Sequence, residues 1–565
     1  MATLVVPGVR VEARFDVLPP LPAPSGIIGA VGIVDRPPQD GGLIGVTKVT
    51  EVRQLLGPGT TASMPEVVHA LANGASEVVI SAVAGGRPAS APLLNAAAQQ
   101  VVILRCRSNG AAGNNLRATV RGIANADGQI VRVGIQLLRG AEVLESFSDL
   151  QAAPGQPDDL IDTINQRSSL VVALDPGFAG VLPRANTYAF AETGEALPVP
   201  EPTPGTRNLM ELLPADEAEP TGLSVRIDIT AANRVEVRVF QGGLQEEFTD
   251  LGMDPDDERY LPYVLLTQSR LVRLRPLSSL PAENRLPSAT AQPVVFTNGE
   301  SPTVDQYTTA IDRLSDDTRI DLVLASIEPT RSNADVRRIH QALVAHAVAQ
   351  SENGAPRLAF GSVTANEQPA LDRIRDHAAA VRNRLFVLVS PSGAEGAVAG
   401  MVGRLNPQES PTFKPVPLFG IPPATYRESE LNRLLGPTTN LLVVQDRAGR
   451  GVIVLRGLDT TGDQVSVTRV AHQAIRETKA IAENFIGRLN SEEARLTLKQ
   501  QIVATFTRME RAGALVPSTD GTDPAFLVDV YSTQLDFAQG IVRIDIAVRP
   551  VRAIDFIYAT IRVKN

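Results

Sequence analysis

Tryptophan is absent from these 565 residues, aromatic side chains make up only 4% of them, and cysteine occurs once. With so few rings to bury, any core must be packed from Val, Ile, Leu and Ala. The single cysteine, Cys106, excludes an intrachain disulfide framework and fits folding in a reducing cytoplasm. Five scattered histidines leave little material for a His-built metal site. No run approaches the roughly 18 apolar residues that a membrane helix needs, so no direct membrane insertion is expected. The opening Met1-Ala2-Thr3-Leu4-Val5-Val6-Pro7 has no basic stretch leading into an apolar one, which is unlike a secretory signal. A net charge of −9 has the wrong sign for a nucleic-acid partner.

The signatures of common chemistries are missing too. There is no G-x-x-x-x-G-K-[ST]; Gly41-Gly42-Leu43-Ile44-Gly45-Val46-Thr47-Lys48 has only a superficial likeness to a phosphate loop. Gly26-Ile27-Ile28-Gly29-Ala30-Val31-Gly32 lacks the dinucleotide-binding spacing and reads better as a closely packed strand. No G-x-S-x-G elbow and no H-E-x-x-H occurs. His340 and His346 stand six apart on one predicted helix, on different faces, and read as helix-surface residues. Cys106 follows the β-branched run Val101-Val102-Ile103 and reads as a small buried side chain. Asp158-Asp159 and Asp256-Asp257 each follow a proline, which is helix N-terminal chemistry. No catalytic, cofactor-binding or metal-binding residue is expected, and the chain reads as a protein without turnover chemistry.

What is present is a soluble globular composition, 43% hydrophobic and 20% charged, on a chain long enough for several domains. The fold class is α/β and α+β, multidomain. Val9, Val11, Ala13 and Phe15 alternate with polar residues as in a strand, and a stiff Pro19–Pro24 spacer follows, so 1–24 reads as an N-terminal arm. Residues 25–99 read as the first part of an α/β core, with strands at Ile27–Val34 and Glu77–Val83. Between them Ser63 and Pro65 open a helix that Asn73-Gly74 closes. Residues 296–400 resume that alternation, with strands at Ile320–Ser326 and Leu358–Ser362 and a helix over about 333–350.

Between these lies a β-rich insertion with a degenerate duplication, 100–197 and 206–290. Asp149-Leu150, Pro157-Asp158-Asp159 and Leu170–Leu174 in the first copy return as Asp250-Leu251, Pro255-Asp256-Asp257 and Leu271–Leu274 in the second. The proline-rich 198–205 reads as the linker between copies. Acidic residues far outnumber basic ones from Glu195 to Glu258, as on a solvated outer surface. In 401–554 a helix over 491–512 has Leu498, Ile502, Phe506 and Met509 as its buried stripe, Asn490 with Glu493 as a capping box, and Gly513 as its stop. Val542, Ile544, Ile546 and Val548 form one alternating strand. Ile557, Ala559, Ile561 and Val563 form another, in a C-terminal arm at 555–565.

Several segments together resemble the sheath proteins of contractile phage tails, phage-tail-like bacteriocins and contractile injection systems. Pro7-Gly8-Val9-Arg10-Val11-Glu12 resembles the family's P-G-V-x-[VI]-E opening. Gly29–Gly32, Arg36-Pro37-Pro38, Val52–Gly57 and Ala72-Asn73-Gly74-Ala75 follow in family order. Ala111-Ala112-Gly113-Asn114-Asn115-Leu116 resembles G-x-W-G-N-x-L, with alanine in place of the aromatic residue. Pro391-Ser392-Gly393, Val398-Ala399-Gly400, Leu431-Asn432, Phe485–Asn490, Gly513-Ala514-Leu515, Gly540-Ile541-Val542 and Arg549–Ile557 continue the order. In the last, Arg552 and Asp555 replace the family's proline and glutamate.

The resemblance implies an inner α/β sheath core with terminal β-strand arms and a variable outward-facing insertion. It implies a structural virion or particle component that self-assembles as stacked hexameric rings in a helical lattice around an inner tube. Contraction then drives the tube through a target envelope. Implied partners are further copies of the chain, the inner tube protein, and baseplate and terminator or cap proteins. Assembly would be cytoplasmic, in a phage tail or tail-like particle that is released from the cell in some systems. Glu492, Arg495 and Lys499, off the buried stripe of their helix, are the expected tube-facing residues. Two other readings stay open: another tail or baseplate component, and a nucleotide-binding α/β enzyme.

Overall fold

The computed structural model describes residues 26–38, 41–202, 207–215 and 218–555. Its centre is an eight-stranded sheet. In spatial order the strands are Ile44–Val46, Glu77–Ala82, Ile27–Gly32, Leu322–Ala325, Leu358–Ser362, Phe386–Ser390, Leu442–Arg447 and Gly451–Val454. The six inner strands are parallel and the two at the edges antiparallel. Every residue of Ile27–Gly32 is buried, as expected of a parallel strand with helices on both faces. Ile27 and Val31 pack on one side with Tyr307, Ile339, Leu343 and Ile374, from helices Val304–Arg313, Asn333–Glu352 and Leu371–Ala380. Ile28 and Ala30 pack on the other with Val67, Val398 and Met401, from helices Pro65–Ala72 and Glu395–Arg404.

The last two helices approach unusually closely, because a Cβ at Gly396 or Gly400 would run into the backbone of Glu66 or Ala70. Pro65 is the first residue of its helix, as its spacing predicts, but the cap position belongs to Met64. Ser63 instead ends the short helix Thr60–Ser63 and gives its hydroxyl to the Ile33 carbonyl. Leu442–Arg447 and Gly451–Val454, grouped with the C-terminal region in the sequence, extend the central sheet.

Residues 90–295 leave and re-enter this core as two units with the same plan. In the first, Ser90–Leu94, Gln100–Cys106 and Val171–Leu174 form a three-stranded sheet. Val294–Val295, Leu116–Ala124, Ile130–Arg139 and Glu142–Leu150 form a four-stranded one, and Leu160–Arg167 is its helix. In the second, the three strands are Leu197–Pro200, Asn208–Pro214 and Val272–Pro276. The four are Asn186–Ala189, Leu223–Ala231, Arg234–Gln241 and Leu244–Leu251, with helix Leu261–Gln268.

Side-chain contacts follow the same plan. Ser168 Oγ donates to Glu145 at 2.6 Å and Ser269 Oγ to Glu246 at 2.6 Å. Arg132 pairs with Asp149 and Asp158, and Arg234 with Asp250 and Asp257. Asp149 and Asp250 both take a positive φ, 62° and 55°. The segment read as a linker starts inside a strand, since Val199 pairs with Met210. Asn186–Ala189, placed by sequence in the first copy, pairs with Leu223–Ala231 of the second unit. Asp159 caps its helix by accepting from the amides of Ile161 and Asp162, whereas Asp257 accepts from Arg259 and the second helix is capped at Tyr260. The N-terminal chemistry read into both acidic pairs thus holds only for the first.

The C-terminal region packs helix Val465–Glu483 and helix Glu492–Arg511 against a hairpin of Phe526–Tyr531 and Arg543–Val548. Leu498, Ile502, Phe506 and Met509 are buried as their spacing predicts. The cap is Ser491, whose side chain accepts from the Ala494 amide, so Asn490 and Glu493 form no capping box. Asn490 turns to Ser532 and receives a bond from Arg495.

Candidate assembly surfaces

Where the sheet order reverses, at the carboxyl ends of Ile27–Gly32 and Leu322–Ala325, an open α/β sheet normally receives its ligand. Here that crevice is small, about 80 Å³, and is lined by Glu66, Glu328 and Glu395 with Arg331. Arg331 pairs with Glu328 at 3.2 Å, which leaves the two other carboxyls without a cation. Burial, and then the facing Glu395, pushes the Glu66 carboxyl up to about 8, and burial pushes Glu395 up to about 7. At about 80 Å³, and with Arg331 already paired, this crevice offers a nucleotide's phosphates little room and no free cation among its lining residues.

His340 and His346, expected on the helix surface, are both buried. The correction is tertiary: helix Asn333–Glu352 is covered by the sheet and by helix Leu371–Ala380. His340 Nδ1 lies 3.0 Å from His377 Nε2, and His377 Nδ1 lies 2.7 Å from Glu367 Oε2. Burial drives His340 well below its ordinary value, helped by the neighbouring His377. Burial alone would raise Glu367, but His377 and Arg337 hold it down at about 2. His346 meets Arg357 at 2.6 Å, and Arg357 donates onward to the carbonyls of Leu314 and Asp317. These side chains bond to one another inside the fold and serve as buried struts. Cys106 is buried, and its thiol is pushed up to about 12 by desolvation. Among the described residues no group of three or more His, Cys, Asp or Glu could hold a metal ion, and no helix is long and apolar enough to cross a membrane.

The unsatisfied surfaces lie in the C-terminal region. Its hairpin is a two-stranded sheet, and among the described residues neither outer edge has a partner strand. Two strands alone are marginal in water, and an open edge is a template for another strand. The inward row Val528, Val530, Ile544, Ile546 and Val548 packs toward the helix Glu492–Arg511 yet is only half-buried. Nine of the nineteen exposed large apolar side chains among the described residues fall between 475 and 554, so the exposed apolar surface is concentrated there. Leu535 and Phe537, 71% and 59% exposed, sit on the short helix Gln534–Ala538 between the two strands.

The expected arm residues Val9, Val11, Ala13, Phe15, Ile557, Ala559, Ile561 and Val563 lie outside the described residues. Approaching the C-terminal arm, Asp555 pairs with Arg456 at 3.1 Å and Gln464 holds both the amide and the carbonyl of Ala553, so the chain is tied down just before 556. Of the expected tube-facing residues, Glu492 is exposed, while Arg495 folds back on Asn490 and Lys499 reaches Asp529 at 3.3 Å. The sequence reading places no strand at Phe526–Tyr531, although Phe526, Val528 and Val530 alternate as a strand requires.

No family model matches this chain, and neither does any curated protein. Among solved structures its neighbours are sheath tail proteins and sheaths of contractile injection systems. It is similar to the sheath tail protein of Desulfitobacterium hafniense at 13% identity, over 97% of each chain, with a TM-score of 0.46. It is similar to the sheath tail protein of Listeria innocua at 13% identity, over 94% of this chain and 93% of that one, with a TM-score of 0.44. With the helical sheath of the anti-feeding prophage in its contracted state, identity is 16% over 48% of this chain and 78% of that one, with a TM-score of 0.37.

Proposed function

We propose that this chain is the subunit of a contractile sheath, a structural protein that polymerises as stacked hexameric rings around an inner tube and shortens to drive the tube through an envelope. The observation that carries the reading is the C-terminal hairpin, with two open edges and a half-covered apolar face. An alternating segment at each end of the chain, 4–15 and 555–564, has the pattern of the strand such an edge accepts. Each arm would enter the hairpin sheet of a neighbouring copy, cover its half-buried row and leave the rigid bodies free to rotate about a flexible link.

On this reading the two inserted units are a duplicated, outward-facing region, and their matching contacts at Glu145 and Glu246 are the mark of that duplication. The tube would be met by the helix Glu492–Arg511. Glu492 is already exposed there, and Arg495 and Lys499 would exchange their internal partners for those of the tube. Baseplate and terminator proteins would bind the two ends of the lattice.

Deleting residues 1–15 tests the reading. Four or so ladder hydrogen bonds at roughly 0.5–1.5 kcal/mol each give a single arm only a few kcal/mol. Loss of all such links along a lattice removes the avidity that holds it. The deletion should give a soluble folded monomer that builds no cylinders under negative stain. Wild-type cylinders from the deleted protein would reject it.

A further inference from the structure

A cavity of about 240 Å³ lies between the central domain and the first inserted unit. Ile33, Pro65 and Ile327 line it from the core, and Cys106, Leu116 and Leu170 from the unit. Its volume falls below the roughly 300–1,000 Å³ of sites for drug-sized ligands, and its walls are mainly apolar, so it suits a small molecule with an apolar body. Two carboxyls interrupt those walls. Glu66 and Glu328 line this cavity and also the crevice of about 80 Å³ at the strand ends, so the two spaces share a wall.

Glu66 and the Glu328 side chain are each more than nine-tenths buried. Each has one oxygen, Oε2 of Glu66 and Oε1 of Glu328, with no hydrogen-bond partner among the described residues. A buried carboxyl oxygen left unbonded has lost its hydration with nothing in return, so such atoms point to a missing donor. Gly110 lies against the open Glu328 oxygen, where a Cβ would overlap it. Of the arginines that line the two spaces, Arg331 is engaged with Glu328 Oε2 at 3.2 Å and with the Pro302 carbonyl, and Arg139 is exposed to solvent. Burial, and then Glu395, pushes the Glu66 carboxyl up to about 8, so its ionisation is costly until a cation sits beside it.

We propose that this cavity binds a small amphipathic primary amine, with its ammonium group at the Glu66 and Glu328 end and its hydrocarbon body among Ile33, Leu116 and Leu170. An ammonium group has three donors and no acceptor, which suits carboxylate oxygens that can only accept. Glu66 and Glu328 belong to the core, and Leu116 and Leu170 to the first unit, so a bound amine ties that unit to the central domain. The site does not depend on whether the chain forms a sheath.

The test is calorimetry on the full-length protein at pH 8, by titration and by thermal scan. The probes are 2-phenylethylamine and its neutral counterpart 2-phenylethanol, with ammonium chloride at matched ionic strength as control. Saturable binding of the amine with a rise in the unfolding midpoint is expected. It should be tighter than that of the alcohol by about tenfold or more, as for one charge-assisted hydrogen bond. Glu328→Gln should weaken binding of the amine by about the same factor and leave that of the alcohol unchanged. Ala112→Phe places a ring in the cavity from its own wall, leaves both carboxyls in place and should abolish binding of both probes. It decides the matter if Glu328→Gln does not fold. No binding of the amine, binding no tighter than that of the alcohol, a response matched by ammonium chloride, or full amine affinity in either folded variant would overturn the proposal.

Discussion

Replacing Glu395 by glutamine should stabilise the central domain in alkali and leave it unchanged in acid. Glu66 and Glu395 are each at least nine-tenths buried, and the Oε2 atom of each has no hydrogen-bond partner among the described residues. They face each other across the tight contact of helices Pro65–Ala72 and Glu395–Arg404, with Glu328, the Arg331 that pairs with it, and His340 around the same crevice. A carboxyl whose folded value is raised contributes its stability fully below the unfolded value. It loses that contribution as pH rises through the folded value. For Glu395 the window runs from 4.5 to about 7, and for Glu66 from 4.5 to about 8.

At about 1.4 kcal/mol per unit, the gap at Glu395 corresponds to on the order of 3 kcal/mol at pH 8 and above. Glutamine has the same shape and no charge to bury. Glu395→Gln should therefore raise the midpoint of the central domain by about 5–10 °C at pH 8.5 and by nearly nothing at pH 4.5. The difference between variant and wild type is the quantity to measure, by calorimetry or circular dichroism, because the chain has no tryptophan to report unfolding. The wild-type curve alone mixes opposite trends. His69, His340, His346 and His472 are lowered chiefly by burial and cost stability as pH falls below 6.5. A variant less stable than wild type at pH 8.5, or a gain that does not grow with pH, would refute the buried-charge account.

Gly400→Ala should destabilise the same helix pair by about 1–3 kcal/mol through overpacking, since its Cβ would overlap the Ala70 carbonyl oxygen; urea unfolding would read this. His340→Ala should cost about 2–4 kcal/mol by opening a cavity and leaving His377 half-bonded, while Cys106→Ser should leave assembly intact. A stable His340→Ala protein would mean that the histidine chain is not a strut. Gly177 lies against the backbone of Leu277, so deleting 178–276 and joining these ends removes the second unit at its own neck. On the proposed sheath function, this protein with Ile103, Val172 and Leu174, which that unit covers, changed to Thr should form cylinders of smaller outer diameter. A folded monomer unable to assemble would make the unit part of the lattice.

Local pattern alone determined a good deal about this protein. The buried run Ile27–Gly32, the stripe from Leu498 to Met509 and the alternation of Arg543–Val548 were all legible, because each depends only on which side of one element is apolar. Asp149 and Asp250, matched in the sequence between the two halves of the insertion, both take a positive φ.

Tertiary structure decided everything that depends on what comes to lie opposite. The spacing of His340 and His346 placed them on different helix faces, and only the sheet and a second helix, brought in from distant sequence, bury both. Val199 in a proline-rich stretch looks like linker until Met210 arrives beside it. Six arginines from positions spread between 36 and 275 line one cavity of about 610 Å³, and no one-dimensional pattern gathers them. Charge and hydrogen bonding act through space over a few ångströms, so sites made from several segments exist only once the chain has folded.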